Sequence, residues 1–320
     1  MVKFDRKDYR IMYELELDSR QSYNKIAKKV RLSKDSVIYR VNKLRDAGVI
    51  QQFHTIINTT KLGYTVYVVY LKLQGATPEK EKEMIEYLKK KDIVEWVVSI
   101  DGEYDLGLTA MVRSSKEMYA FWKEFQSRYV NFISAKIITT QARLVYYPMV
   151  FLVGKKKNTK EIIHYADSAV EKIGKVDLKI LKLLAPNSRM PVIEIAREVG
   201  VTSATVIKKI KEFEKKKVIT GYGTLFDYRK LGYQHFKVHI DLHNITRMKE
   251  MKFREYVKQN PYINYDIEGL GCEDLEIEIL ARDLPHFREI MGEMRKEFVD
   301  IIQDYSYMLF YKHHKFVFFQ

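Results

Sequence analysis

The sequence predicts an α+β chain built twice over: a helical module followed by a β-α-β-β-α-β module, then both again. Two observations carry this. The tetrapeptide KLGY stands at residues 61–64 and returns at 230–233, an offset of 169 residues. Within each copy the apolar pattern then changes from a helical period to alternation. The same offset places Asp8 on Asp177, Leu15 on Leu184, Ser19-Arg20 on Ser188-Arg189, Val37-Ile38 on Val206-Ile207, and Gly102 on Gly271 without a gap. This is a tandem duplication of two long units, not an array of many short ones.

In the first unit, Ile11, Met12 and Leu15 recur at helical spacing. Ser22 is placed to cap a second helix with Ile26, Ala27 and Val30 on its apolar face. Ser33 caps a third, whose buried stripe is Val37, Val41 and Leu44 and whose end is marked by Gly48. Three short helices with a tight turn before the last make a helix-turn-helix. The third helix leaves Lys34, Ser36, Tyr39, Arg40 and Lys43 off the stripe, chemistry suited to phosphates and base edges. Arg40 is the expected base reader and Lys34 a phosphate contact. In the second unit the corresponding helix offers Ser203, Thr205, Lys208 and Lys209, so the two units should read different half-sites.

After Gly48, "VIQQFHTIIN" alternates and reads as a hairpin or wing. KLGY then turns the chain into "VYVVYLKLQ", a strand rich in β-branched and aromatic residues. A helix capped by Thr77 with Pro78 at its first position follows. Next come two strands joined by "DGEYD", a helix capped by Ser114 or Ser115, and a last strand through "SAKIITTQARLVYY". This β-α-β-β-α-β order is ferredoxin-like. The expected organisation is helix-turn-helix 1–60, ferredoxin-like 61–151, a Lys-rich and partly helical linker 152–174, helix-turn-helix 175–229 and ferredoxin-like 230–320.

Composition sets bounds. Hydrophobic residues make up 46% and charged residues 31%, ordinary for a globular protein, and no apolar run is long enough for a membrane span. The net charge of +14 favours polyanions. Cys272 is the only cysteine, which excludes an internal disulfide framework and a multi-cysteine zinc site. A cytoplasmic protein is the expectation. His235, His239 and His243 are four residues apart, but Phe236, Val238, Ile240 and Leu242 alternate with them, so the segment is a strand and no metal site is expected. Trp96 and Tyr265 are expected in the core. No phosphate loop or nucleophile elbow appears, so neither a cofactor nor an enzyme activity is expected.

"IAKKVRLSKDSVIYRVNKLRDAGVI", "IAREVGVTSATVIKKIKEFEKKKVI" and "DGEYDLGL" resemble the Lrp/AsnC family of transcription regulators, once per unit. The resemblance implies winged helix-turn-helix domains that bind double-stranded DNA, and sensing domains of RAM type that take an amino-acid-like effector. It implies Gly102, Tyr104 and Asp105 as an effector turn, with Gly271 and Asp274 as the second unit's remnant. There the turn reads "GCED", lacking the Tyr. Members usually carry one unit per chain and pair through their sheets, so the two units here could form a pseudo-dimer, or chains could assemble further. Each unit lacks one turn glycine: Arg31 stands where the second unit has Gly200, and Lys217 where the first has Gly48. Sirohaem decarboxylases also resemble this family and pair two unlike subunits around a tetrapyrrole, so a fused enzyme of that kind is the alternative. A protein-binding scaffold that no longer touches DNA is another.

Overall fold

A computed structural model describes residues 3–158, 160–165, 169–271 and 274–319. Cys272 and Glu273 of the second turn lie outside the described residues, as do parts of the expected linker.

The first helix-turn-helix comprises α1 (Arg6–Leu17), α2 (Tyr23–Val30) and α3 (Lys34–Asp46). The second comprises α6 (Lys175–Leu184), α7 (Val192–Val199) and α8 (Ser203–Lys215). The expected caps form: Ser22 accepts from the Lys25 amide and Ser33 from the Ser36 amide. Thr202 does the same for α8.

The segment expected to fold as a hairpin is instead a single strand, β1 (Ile50–Ile57), completed by β7 (Ile219–Phe226) of the other unit. They are antiparallel with His54 opposite Gly223, the same position in each repeat. Beside this ribbon the Ser19 and Ser188 hydroxyls meet at 2.6 Å. Arg20 donates to the Ser188 carbonyl and Arg189 to the Ser19 carbonyl. The repeated "SR" is therefore a reciprocal contact across an internal pseudo-twofold axis, as an isologous interface requires.

The first ferredoxin-like unit holds β2 (Thr65–Leu73), α4 (Pro78–Lys89), β3 (Val94–Asp101), β4 (Leu106–Val112), α5 (Ser115–Tyr129) and β5 (Ile133–Tyr146). A short strand, β6 (Ile162–Tyr165), then pairs with the end of β5 in the stretch expected to be a partly helical linker. The second unit holds β8 (Gln234–Leu242), α9 (Arg247–Gln259), β9 (Ile263–Leu270), β10 (Leu275–Ala281), α10 (Leu284–Glu297) and β11 (Ile302–Phe316).

The long last strands of the two units join the sheets. β5 pairs with β2 over its first half and with β9 of the other unit over its second. β11 pairs with β8 and then with β3. The order β5-β2-β4-β3-β11-β8-β10-β9 returns to β5 and closes an eight-stranded antiparallel barrel, which leaves none of these strands as a free edge. The helices cover the outside: α5 buries Phe121, Trp122 and Phe125 in one apolar cluster, and α10 buries Phe287, Met291 and Met294 in the other.

Each helix-turn-helix core is finished by the other unit. Phe226, Tyr228 and Leu231 pack into the first, while Ile57, Leu62 and Met111 pack into the second. This is the meaning of the repeated KLGY. Its Leu enters the opposite helical module, and its Gly sits at φ 79° or 83°, a left-handed turn that glycine adopts freely.

Candidate nucleic-acid interface

Both third helices face outward. Lys34, Tyr39 and Lys43 on α3 are exposed, as is Lys208 on α8. Tyr39 is 68% accessible, a large aromatic with nothing covering it. Ser36 is half-buried and accepts a hydrogen bond from the Ser33 hydroxyl at 2.8 Å. Ser203 and Thr205 are half-buried at the start of α8. Thr205 shares its hydroxyl with Thr202 at 2.9 Å.

Arg40 differs from its sequence expectation. Its guanidinium donates to Asp8 at 2.6 Å and Asp5 at 2.9 Å, both at the start of α1. Lys209, the same position in the second unit, reaches Asp177 at 3.1 Å, and Asp177 is the repeat of Asp8. Both cations thus link the third helix of their module to its first, and in this arrangement are engaged within the protein. A groove lined by Asp5, Asp8, Asp35, Ser36, Tyr39, Arg40 and Lys43 lies along α3 and mixes both signs of charge.

The turns on either side of the third helices, Arg31 before α3 and Lys217 after α8, keep the backbone shape of the missing glycines. Arg31 adopts φ 57° and Lys217 φ 58°, the left-handed conformations that Gly200 and Gly48 adopt in the opposite units. A side chain there costs about 1 kcal/mol relative to glycine. Arg31→Gly and Lys217→Gly are each expected to raise stability by about that amount in chemical denaturation. No gain from either would mean that local contacts offset the strain.

The expected effector turns lie at the seams of the barrel. A Cβ on Gly102 (φ 141°) would touch Met308 of β11 at 3.4 Å, and one on Gly271 (φ 97°) would meet the Ile138 carbonyl of β5 at 3.3 Å. Asp105 accepts from the Leu73 amide at 2.7 Å, and Asp274 from the Leu242 amide at 2.8 Å. Both aspartates therefore tie their turn to the neighbouring strand. Tyr104 leans inward against Tyr70, ring centroids 5.7 Å apart.

The sequence reading missed a buried polar cluster inside the barrel. His235, Lys237 and His239 project from β8 and Glu276 and Glu278 from β10, all buried. Lys237 lies 2.5 Å from Glu276 and 3.6 Å from Glu278, and His235 is 2.8 Å from Glu278. Burial works against the Glu278 carboxylate, but His235 and Lys237 outweigh it and hold the group below its ordinary range. In the first unit these five positions are Val66, Val68, Tyr70, Gly107 and Thr109. His235 and His239 lie on one strand, and among the described residues no group of acidic, His or Cys side chains is arranged to hold a metal. Trp96 donates to His313 at 2.9 Å.

The winged helix-turn-helix DNA-binding family matches this chain at residues 4–51 and again at 174–220. An uncharacterised HTH-type transcriptional regulator of Pyrococcus furiosus is 35% identical over 127 residues, 39% of this chain and 84% of that protein. The proline dehydrogenase transcriptional activator of Rhodobacter capsulatus is 31% identical over 138 residues, 42% of this chain and 89% of that protein. Among solved structures, the siroheme decarboxylase NirDL matches in fold over 98% of this chain and 93% of its own, with a TM-score of 0.63 and 11% identity. Two helix-turn-helix matches at the repeat spacing, with relatives that are each about one unit long, place the chain among the HTH-type transcriptional regulators, as a tandem of two such units.

Proposed function

We propose that the chain is a sequence-specific DNA-binding transcription regulator that presents two unlike recognition helices from one polypeptide. The observation that carries this is the pair of helix-turn-helix modules, each with an exposed third helix and each matching the DNA-binding family. Fusion frees the assembly from the rule that a twofold homodimer uses one surface twice, so the half-sites need not be alike. It also delivers the second helix at high effective concentration once the first is bound.

Lys43 and Lys208 are assigned to phosphates. Lys43→Ala and Lys208→Ala are expected to weaken all duplexes alike and to lower the salt slope by about one each. Arg40→Ala is expected to lower the stability of the first module, because Asp5 and Asp8 keep their capping contacts but lose the cation between them. If it instead relaxes specificity at one base pair with stability unchanged, Arg40 leaves its carboxylates to read a base.

Regulation by a small amino-acid-like effector is the finer part of this reading, placed at the seam turns of Gly102 and Gly271. Titration calorimetry with the proteinogenic amino acids is expected to give stronger binding at the first turn, which keeps Tyr104, and Gly102→Val is expected to abolish it. Heat unaffected by that change would remove the turn from effector binding.

The whole-chain fold match to a decarboxylase favours a second reading, an enzyme acting on a tetrapyrrole. A visible absorption band that copurifies with the full chain would support it, and a colourless protein that binds DNA would not.

A further inference from the structure

Closing the barrel leaves a cavity of about 100 Å³ on its inside, walled by aromatic side chains from both units. Trp96 and Phe316 come from the β3–β11 seam, Tyr265 from β9 and Phe310 from β11. One carboxyl in this wall has an unusual position. Glu95 is buried, and its Oε1 has no hydrogen-bond partner. It reaches the cavity because β3 carries an extra residue there: Val94 pairs with Ala110 and Trp96 with the adjacent Thr109, leaving Glu95 in a bulge. Bulges re-aim side chains in this way. The second unit has the same irregularity between β9 and β10, with Asn264 in the bulge. The duplicated position is therefore an amide in one unit and an acid in the other.

The cation that acts on Glu95 does not meet its demand. Burial pushes the Glu95 carboxyl well above the usual carboxylate range, and Lys315 pulls it back only in part, its ammonium donating instead to the Lys89 and Lys91 carbonyls at 2.9 Å each. Lys237, on β8 two strands away, is already held by Glu276 and Glu278. A buried carboxyl oxygen with no partner is costly unless something satisfies it. A space lined by aromatic faces favours a cation on an apolar body. The size is restrictive: an engineered cavity of about 150 Å³ takes benzene, whereas pockets for larger cofactors run to about 300 Å³ or more.

We propose that this cavity is a binding site for a compact monoamine, whose ammonium pairs with Glu95 and whose carbon body lies among Trp96, Tyr265, Phe310 and Phe316. The site is separate from the seam turns and from the recognition helices, and it stands whether or not the chain binds DNA. It also accounts for retaining an acid where the duplicate carries an amide. A smaller surface hollow beside Asp227 and Arg229 shares Tyr228, His235, Phe310 and His313 with the cavity wall.

Calorimetric titration of the full chain with n-propylamine, n-butylamine, n-butanol and butyrate tests this. The expected result is saturable binding of at least one amine, with n-butanol and butyrate weaker by about tenfold or more, as the loss of a charge-assisted contact implies. Glu95→Gln preserves shape and is expected to reduce amine binding by about the same factor. The ranking of amine over alcohol is measured on the unaltered protein, so it stands even if the variant fails to fold. No binding by either amine, equal binding of n-butylamine and n-butanol, or undiminished binding by folded Glu95→Gln would each overturn the proposal.

Discussion

Lys237→Ala is expected to destabilise the folded chain by about 3–5 kcal/mol, the usual consequence of leaving buried charge without its partner. Lys237 is 1% exposed, and its ammonium is shared by Glu276 and Glu278. Removing it leaves two carboxylates facing an aromatic interior. The loss should appear as a lower denaturant midpoint with an unchanged slope. Replacing the cluster as a whole should be far milder. Lys237→Met, Glu276→Leu and Glu278→Gln together keep a partner for His235 and leave no unpaired charge, so stability is expected near the original or above it. A single substitution as mild as the triple one would show that water reaches the cluster. If the cluster specifies how the two sheets join, the triple variant should also show looser pairing along the seams, read by amide exchange on β3 and β11.

The helical modules and the strand order were legible because local signals agreed: caps, apolar stripes and turn residues all pointed the same way. The offset of 169 residues was informative in a further sense, since equivalent residues meet across the axis, as Ser19 meets Ser188. Pairing between units was not legible. A strand such as Ile50–Ile57 has the same alternating pattern whether its partner is a hairpin arm or a strand far along the chain. The barrel interior was hidden for a related reason. In "LEIEILA" the alternation of Leu and Ile with Glu reads as a strand with one wet face, and closure of the barrel buries that face. Comparing the two repeats could have found it, because Val66, Val68 and Tyr70 answer to His235, Lys237 and His239. The role of Arg40 was unreadable from α3 alone, since its partners lie on α1. The matching pair of Asp8 with Asp177 and Arg40 with Lys209 was nevertheless present in the repeat.

Binding to a selected duplex is expected to fall steeply with salt. The chain carries a net charge of +14 and offers two third helices with exposed lysines. Contacts to six or more phosphates would cost about 10³-fold in affinity or more between about 50 and 200 mM salt, because each contact releases condensed counterion. Base contacts should add a preference that persists at high salt, when the phosphate term has been weakened. Disabling one module by changing its exposed third-helix residues should remove the preference for one half-site and leave the other, since α3 and α8 present different side chains.

The most direct measurement is selection of bound duplexes from a random pool by the full chain, followed by salt titration of the winner against a scrambled duplex. The expected result is one two-part site with unlike halves, a linear fall of log affinity with log salt, and weaker binding of the scrambled duplex throughout. Equal affinity for every sequence, or an affinity indifferent to salt, would contradict a sequence-specific DNA-binding regulator.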